Sequence, residues 1–193
     1  MTPLLVLWAL AASPIQLSEA VRAQLVDAAV IHGVFEQEKR VKGFKRPLVS
    51  KGDFVVAKGR GVRWHTQTPF DSVLLVRRDD ISSQQGETEV FHLDAAKEPT
   101  VRVVNTVLFS LLAGDLAVLE RHFEVKGEAG PRGWTLELLP KTDGLKKVLK
   151  RIAMTGDRFV RRLELSEASQ DVTVIRIESP QASSPDAGEE LGW

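Results

Sequence analysis

Residues 52–65 constrain the fold of this chain more than any other stretch. Gly52, Asp53, Phe54, Val55, Val56 and Ala57 lead into Lys58-Gly59-Arg60-Gly61, and Val62, Arg63, Trp64 and His65 run away from it. Two strands joined by a tight turn follow, because glycine accepts the backbone angles of such a turn while β-branched and aromatic residues favour a pleated surface. Thr66-Gln67-Thr68-Pro69 then mark a second turn, ahead of the apolar run Val73-Leu74-Leu75-Val76 and a third strand. Successive strand side chains point to opposite faces, so Phe54, Val56 and Lys58 share one face and Asp53, Val55 and Ala57 the other. Beyond the turn, Val62 and Trp64 point one way and Arg63 and His65 the opposite way. With Phe54, Val56, Val62 and Trp64 inward, the sheet presents an oily wall without reactive groups. Lys58 is the one charge on that face, and an ammonium there has to reach the rim or find a specific acceptor.

A length of 193 residues suits one domain with a single core. The 26 basic and 26 acidic residues cancel, which removes the long-range positive field that nucleic acid or an anionic membrane surface would need. Cysteine is absent, so there is no disulfide framework, thiolate nucleophile or cysteine-built lipid anchor. Residues 1–13 carry a short apolar run ending in small residues, as a secretory signal does, although the first basic residue is Arg22. An apolar start packed on the core is the other reading of that segment. The expected organisation is a signal-like segment over 1–13, a single domain over 14–178, and a proline-rich, disordered tail over 179–193.

A helix is predicted over 18–33, with Ser18 as its cap, Val21, Leu25, Ala28, Ala29 and Ile31 at helical spacing, and Gly33 at its end. Strands are predicted over 34–44 and 48–56. The most hydrophobic later stretch, 107–119, places Leu108, Leu111, Leu112, Leu116 and Leu119 on one helical face. Gly114 weakens that helix by about 1 kcal/mol relative to alanine. Such a stripe serves either as a permanent core helix or as the lid of a cavity. Strands follow at 123–125, at 134–139 with a clear period of two, and at 152–154, 159–165 and 172–177, with a helical turn within 143–151. Short strands punctuated by turns indicate an antiparallel sheet with two helices left to cover it. Enzyme signatures are missing: His32, His65, His92 and His122 are widely spaced, and Gly59-Arg60-Gly61 lacks the third glycine of a dinucleotide fingerprint. No catalytic residue, metal or cofactor is expected.

Phe35-Glu36-Gln37-Glu38-Lys39, the 52–65 stretch and the run at 73–76, with a looser return at 134–140, resemble the LolA family of periplasmic lipoprotein carriers. The resemblance implies an α+β fold in which a strongly curved antiparallel sheet, an unclosed β-barrel, is covered on its concave side by helices near 18–33 and 107–121. It further implies a hydrophobic cavity for acyl chains, lined by Phe35, Phe54, Val56, Val62, Trp64, Leu108, Leu111, Leu112, Leu136 and Leu138. In the family an arginine latches the covering helices, and Lys58 stands at the matching position. Lysine lacks the planar guanidinium fork and reads as a weaker latch, or as an ordinary rim lysine. Glycine replaces the family's usual proline at Gly59, and Ser82-Ser83-Gln84-Gln85 stands where aromatic strand residues are expected, so the branch is divergent. Trp64 is either plain core or cavity wall.

The implied function is that of an exported, periplasmic, monomeric carrier. It would take the acyl chains of a lipoprotein or other lipidated cargo from an inner-membrane donor complex toward an outer-membrane acceptor, with no nucleic acid involved. The alternative is an envelope sensor or protein-binding module on the same fold. At about 0.8 kcal/mol per methylene, one chain of about 14 methylenes gains roughly 11 kcal/mol gross. Burying every chain of a lipoprotein would overshoot the practical ceiling of roughly 18–21 kcal/mol and forbid release.

Overall fold

The computed structural model describes residues 14–77, 80–86, 88–94, 110 and 115–184. Helix α1 (Pro14–Gln24) precedes strands β1 (Val30–Arg40), β2 (Leu48–Ala57), β3 (Gly61–Thr68), β4 (Ser72–Arg77), β5 (Asp80–Gln85) and β6 (Thr88–Asp94). Helix α2 (Leu116–His122), β7 (Phe123–Gly130), β8 (Gly133–Pro140), the single turn α3 (Asp143–Lys146), β9 (Leu149–Gly156), β10 (Val160–Glu167) and β11 (Val172–Ser183) complete the order. The strands form one antiparallel sheet in the order β6-β5-β4-β3-β2-β1-β11-β10-β9-β8-β7. Its ends, β6 and β7, do not pair with each other, so the barrel is unclosed, as expected. The meander is broken once, where the first and last strands meet as β1 and β11.

Each strand sorts its residues by face. In β8, Trp134, Leu136 and Leu138 are buried while Thr135 is exposed, the alternation that the pleat imposes on a half-wet sheet. On the opposite face a row of ion pairs crosses six strands. Glu36 holds Lys51 at 2.8 Å and Arg176 at 3.3 Å; Glu164 holds Arg162 at 2.7 Å and Arg151 at 3.0 Å; and Arg151 reaches Glu137 at 3.3 Å. Exposed pairs of this kind add little stability. Their effect is on register, because a one-residue slip would send the row into the apolar side.

The inner face carries two apolar clusters. Under the helices, Leu17 and Val21 of α1 and Leu116 and Leu119 of α2 pack on Phe123, Val125, Trp134, Leu136, Leu138, Ile152, Met154 and Leu163. The other half of the sheet gathers Phe35, Phe54, Val56, Val62, Val76, Ile81 and Ile177, with Ile31, Trp64, Leu74 and Ile175 against them.

Several expectations move. The helix predicted over 18–33 occupies Pro14–Gln24, and β1 already begins at Val30. Ile31 and Gly33, which look like a helical stripe and its terminator, are strand residues because β1 gains backbone partners on both sides, β2 and β11. Gly33 sits at the register shift between β1 and β11. A Cβ there would stand 3.1 Å from Glu178 O, Phe54 Cε1 and Pro180 Cα, so the glycine lets the bulge close. Ser18 does not cap α1; it lies within the helix, buried, and its hydroxyl donates to the carboxylate of Glu120 on α2. The segment expected to be disordered from 179 onward instead continues β11 through Ser183. There Gln181, Ala182 and Ser183 pair with β1 and Pro180 is buried. The run expected as a helix over 107–119 lies mostly outside the described residues; its described end is α2, capped by Asp115, whose side chain accepts from the Val118 N–H at 3.3 Å.

Candidate functional site

A hollow of about 240 Å³ opens on the inner face where the two clusters meet. Its apolar wall is Leu25 and Val26 from the end of α1, Ile31 of β1, Val56 of β2, and Leu116 and Ala117 from the start of α2. Its rim is polar: Arg22, Asp27, Lys58 and Asp115. Behind it a gap of about 20 Å³ shares Leu25, Val26 and Ile31 and adds Phe54, Val160 and Ile177. Wider grooves of about 530 and 380 Å³ around residues 130–133 are shallow surface clefts that expose Arg132 and border Asp157. The lining of the larger one mixes Ala129, Pro131 and Trp134 with Glu128, Arg132 and Asp157.

Local sequence explains how the hollow is assembled. α1 stops at Gln24, and Val26 turns toward the far end of the sheet, donating its N–H to Arg158 O at 2.9 Å. The backbone of Lys58 donates to Ala29 O at 2.8 Å, so the turn after β2 holds the α1–β1 connection from the other side. Stretched between these two bonds, residues 25–29 form a strap rather than a plug. The side chain of Lys58 completes the clamp, its Nζ lying 2.7 Å from Asp27 Oδ1. The Lys58 hydrogen bond and charge, with Arg22 farther off, hold the Asp27 carboxyl below the usual carboxylate range, so it stays ionised at neutral pH.

The predicted lining divides. Val56 lines the hollow and Phe54 the gap behind it. Phe35, Val62 and Trp64 belong to the same wall but lie to one side, where the Trp64 ring stacks on Phe35 at 3.8 Å between centroids and on Phe54 at 6.0 Å. Leu136 and Leu138 are core under the helices, 2 % and 0 % exposed, packed solid by the protein's own side chains. Strand periodicity names the inward face but not which half of a wide sheet a strand occupies. Leu108, Leu111 and Leu112 lie outside the described residues. Lys58 is not among the apolar side chains: β2 ends at Ala57 and the lysine sits on the rim with its side chain 67 % exposed. Leu25, Val26, Ile31, Leu116, Ala117 and Asp27 were not anticipated as site residues; the signal was present only as apolar positions assigned to helices.

The outer face of β3 carries a separate polar knot. Asp53 accepts from Arg63 at 3.0 Å and Gln67 at 2.8 Å, and it lies 2.9 Å from His65 Nδ1, whose Nε2 lies 3.0 Å from Asp71. These bonds tie β2 to β3 and to the following turn. No group of three or more metal-binding side chains occurs among the described residues.

The family model described as outer membrane lipoprotein carrier protein LolA matches residues 27–189. The chain belongs to the LolA family. Its architecture is similar to that of a LolA superfamily protein from Nitrosomonas europaea, at 10 % identity and a TM-score of 0.50, over 92 % of this chain and 97 % of that one. An outer membrane lipoprotein-sorting protein domain from Vibrio parahaemolyticus is similar at 9 % identity and a TM-score of 0.46, over 92 % of this chain and 97 % of that one. No curated protein matches the sequence. At such identity the structural likeness speaks for the fold alone, so what this LolA-family chain binds has to be argued from its own side chains. Among the described residues no helix is long and apolar enough to cross a membrane.

Proposed function

We propose that this LolA-family protein is a carrier that takes part of an acyl chain of a lipoprotein, or of another lipidated molecule, into the hollow between α1, α2 and the sheet. The observation that carries this reading is the hollow itself: among the described residues, an apolar wall drawn from four separate elements under a charged rim. An apolar space with a charged rim suits a tail that enters end-on while its polar head stays in water. The rim ion pair between Lys58 and Asp27 joins the turn after β2 to the strap, and acts as the latch that holds the strap against the sheet. No bond-making chemistry is needed. Transport between an inner-membrane donor and an outer-membrane acceptor in an envelope compartment is consistent with a partly buried tail, because a shallow grip releases its cargo.

Native mass spectrometry of protein purified from an envelope fraction tests this directly. The expected result is a population carrying the mass of an acylated molecule, lost in a Val56→Glu variant whose circular dichroism still shows the sheet. A ligand-free protein that also fails to take up added acylated peptide overturns the reading and leaves a protein-binding use of the fold.

A further inference from the structure

Charge on this chain is balanced in sum but not in place. Between residues 39 and 51 stand Lys39, Arg40, Lys42, Lys45, Arg46 and Lys51, with no acidic residue among them. The structure makes this stretch the hairpin joining β1 to β2, with its tip at residues 41–47. Some of these charges are occupied. Lys39 lies 3.0 Å from Glu167 and 3.9 Å from Asp171, Arg40 lies 2.7 Å from Glu38, and Lys51 holds Glu36. The side chains of Lys42, Lys45 and Arg46 enter none of the ion pairs found among the described residues, and all three are exposed. Only the backbone of Lys42 is engaged, donating to Asp171 Oδ1 at 2.9 Å.

Phe44 stands in the middle of these cations, 69 % exposed, and Leu48 and Val49 beside it are 58 % and 46 % exposed. The tip is ordered: the Phe44 N–H donates to Val41 O at 3.0 Å. On one side β11 supports the hairpin as far as Arg40, opposite Val172. On the other, β3 ends its pairing at Thr68, opposite Lys51, so the tip projects past β3 by the three residues back to Leu48, roughly 10 Å, plus the turn itself. Phe70, 71 % exposed, crowns the β3–β4 turn at the same end of the sheet.

We infer that the β1–β2 hairpin tip, with Phe70 beside it, is a docking surface for an anionic lipid bilayer: Phe44 enters the interfacial layer while Lys42, Lys45 and Arg46 lie on the headgroups. Charge complementarity selects the occupant. An aromatic ring ringed by free cations is the side-chain pattern of interfacial anchors, and two apolar tips at one end of the sheet define a contact plane rather than a socket. The neutral sum means that attraction is confined to this end, so the protein meets the surface edge-on and leaves it easily. This surface is separate from the hollow and does not depend on what the hollow holds.

Co-sedimentation with vesicles of phosphatidylglycerol and phosphatidylcholine, against phosphatidylcholine alone, tests the inference. Binding is expected on the anionic vesicles, weakening as salt is raised. The Lys42→Ser, Lys45→Ser, Arg46→Ser triple variant should lose on the order of a hundredfold in partitioning, and Phe44→Ser about tenfold or more. A control that removes the same charge at the opposite end of the sheet, Arg60→Ser, Arg132→Ser, Arg158→Ser, should bind like the parent. Equal partitioning onto both vesicle types, an unaffected tip variant, or equal loss in the control overturns the proposal. All the substituted residues are exposed, and an unchanged urea midpoint confirms that each variant is folded.

Discussion

On the proposed function, the size of the hollow sets how much of a tail this protein can grip, and a chain-length series reads that size. About 240 Å³ corresponds to roughly eight groups the size of a water molecule at about 30 Å³ each, and a methylene is of that order. Each buried methylene contributes about 0.8 kcal/mol, a factor of about four in affinity. Saturated acyl probes of about six to sixteen carbons should therefore bind about fourfold tighter per added carbon until roughly eight are accommodated, and then level off. The gross gain at the break is about 6 kcal/mol before the cost of association, roughly half of what a fully buried 14-methylene chain would give. That weaker grip would, on the proposed function, make cargo releasable. Calorimetric titration or displacement of a fluorescent acyl probe measures the series. Ala28 of the strap also lines the hollow, so Ala28→Phe, which places a ring there, should move the break to shorter chains without unfolding the protein. Affinity that does not depend on chain length refutes the hollow as the binding site, and affinity that climbs steadily through the longest chains refutes its being a space of fixed size.

If the rim pair latches the strap, Lys58→Leu and Asp27→Asn should each change the release rate of a bound acyl probe, and the double variant should change it no further than either alone; additive effects, or effects on solubility only, count against the latch. Leu138→Ala should lower stability by about 2–5 kcal/mol, as deletion of a fully buried leucine does, while uptake per folded molecule stays at the parent level; a urea titration and the acyl-probe assay separate the two. Glu164 is held below the ordinary carboxylate range, first by its hydrogen bond to Arg162, against the opposing effect of burial, and then by the Arg162 and Arg151 charges. A carboxylate with a depressed folded pKa binds fewer protons than the unfolded chain, so its contribution is complete above its ordinary value near 4.5 and is lost as pH falls through the folded value. Urea midpoints measured from pH 7 downward should therefore fall more steeply for the parent than for Glu164→Gln; parallel curves would remove Glu164 from the acid response.

How far the sequence reached depended on the range of the interaction. Period-two alternation is local, so the β2–β3 hairpin with Phe54, Val56, Val62 and Trp64 inward, and β8 with Trp134, Leu136 and Leu138 inward, were both legible. Sheet order is not local. β1 meets β11 across some 140 residues, as in the Glu36–Arg176 pair, and only that closure assigns Val56 to the hollow's side and Leu138 to the packed side. The error over residues 25–33 has the same source. Leu25, Ala28 and Ile31 do recur at helical spacing, yet two neighbouring strands satisfy the backbone of Ile31, which outweighs local propensity. Lys58 was placed on the apolar face by extending the alternation one residue past the end of β2. The zero net charge was a sum, and a sum is blind to six cations in thirteen consecutive residues.

The hollow lies where the described ends of the two helices meet β1 and β2. Eleven strands about 4.8 Å apart make a sheet nearly 50 Å wide along its curve, whereas α1, with 11 residues, and α2, with 7, are about 16 and 10 Å long at 1.5 Å per residue. Among the described residues, the helices pack on the inner face over β7 to β10. At their ends, Leu25 and Leu116 line the hollow together with Ile31 and Val56, and the strap at 25–29 spans the edge on two backbone bonds and one ion pair. Extending α1 by a turn through the strap should, on the proposed function, abolish acyl-probe uptake, because it would carry Leu25 and Val26 off the wall and break the bonds to Arg158 and Lys58. On the proposed function, the end of α1 at Gln24 is what leaves Leu25 and Val26 on the wall of the hollow.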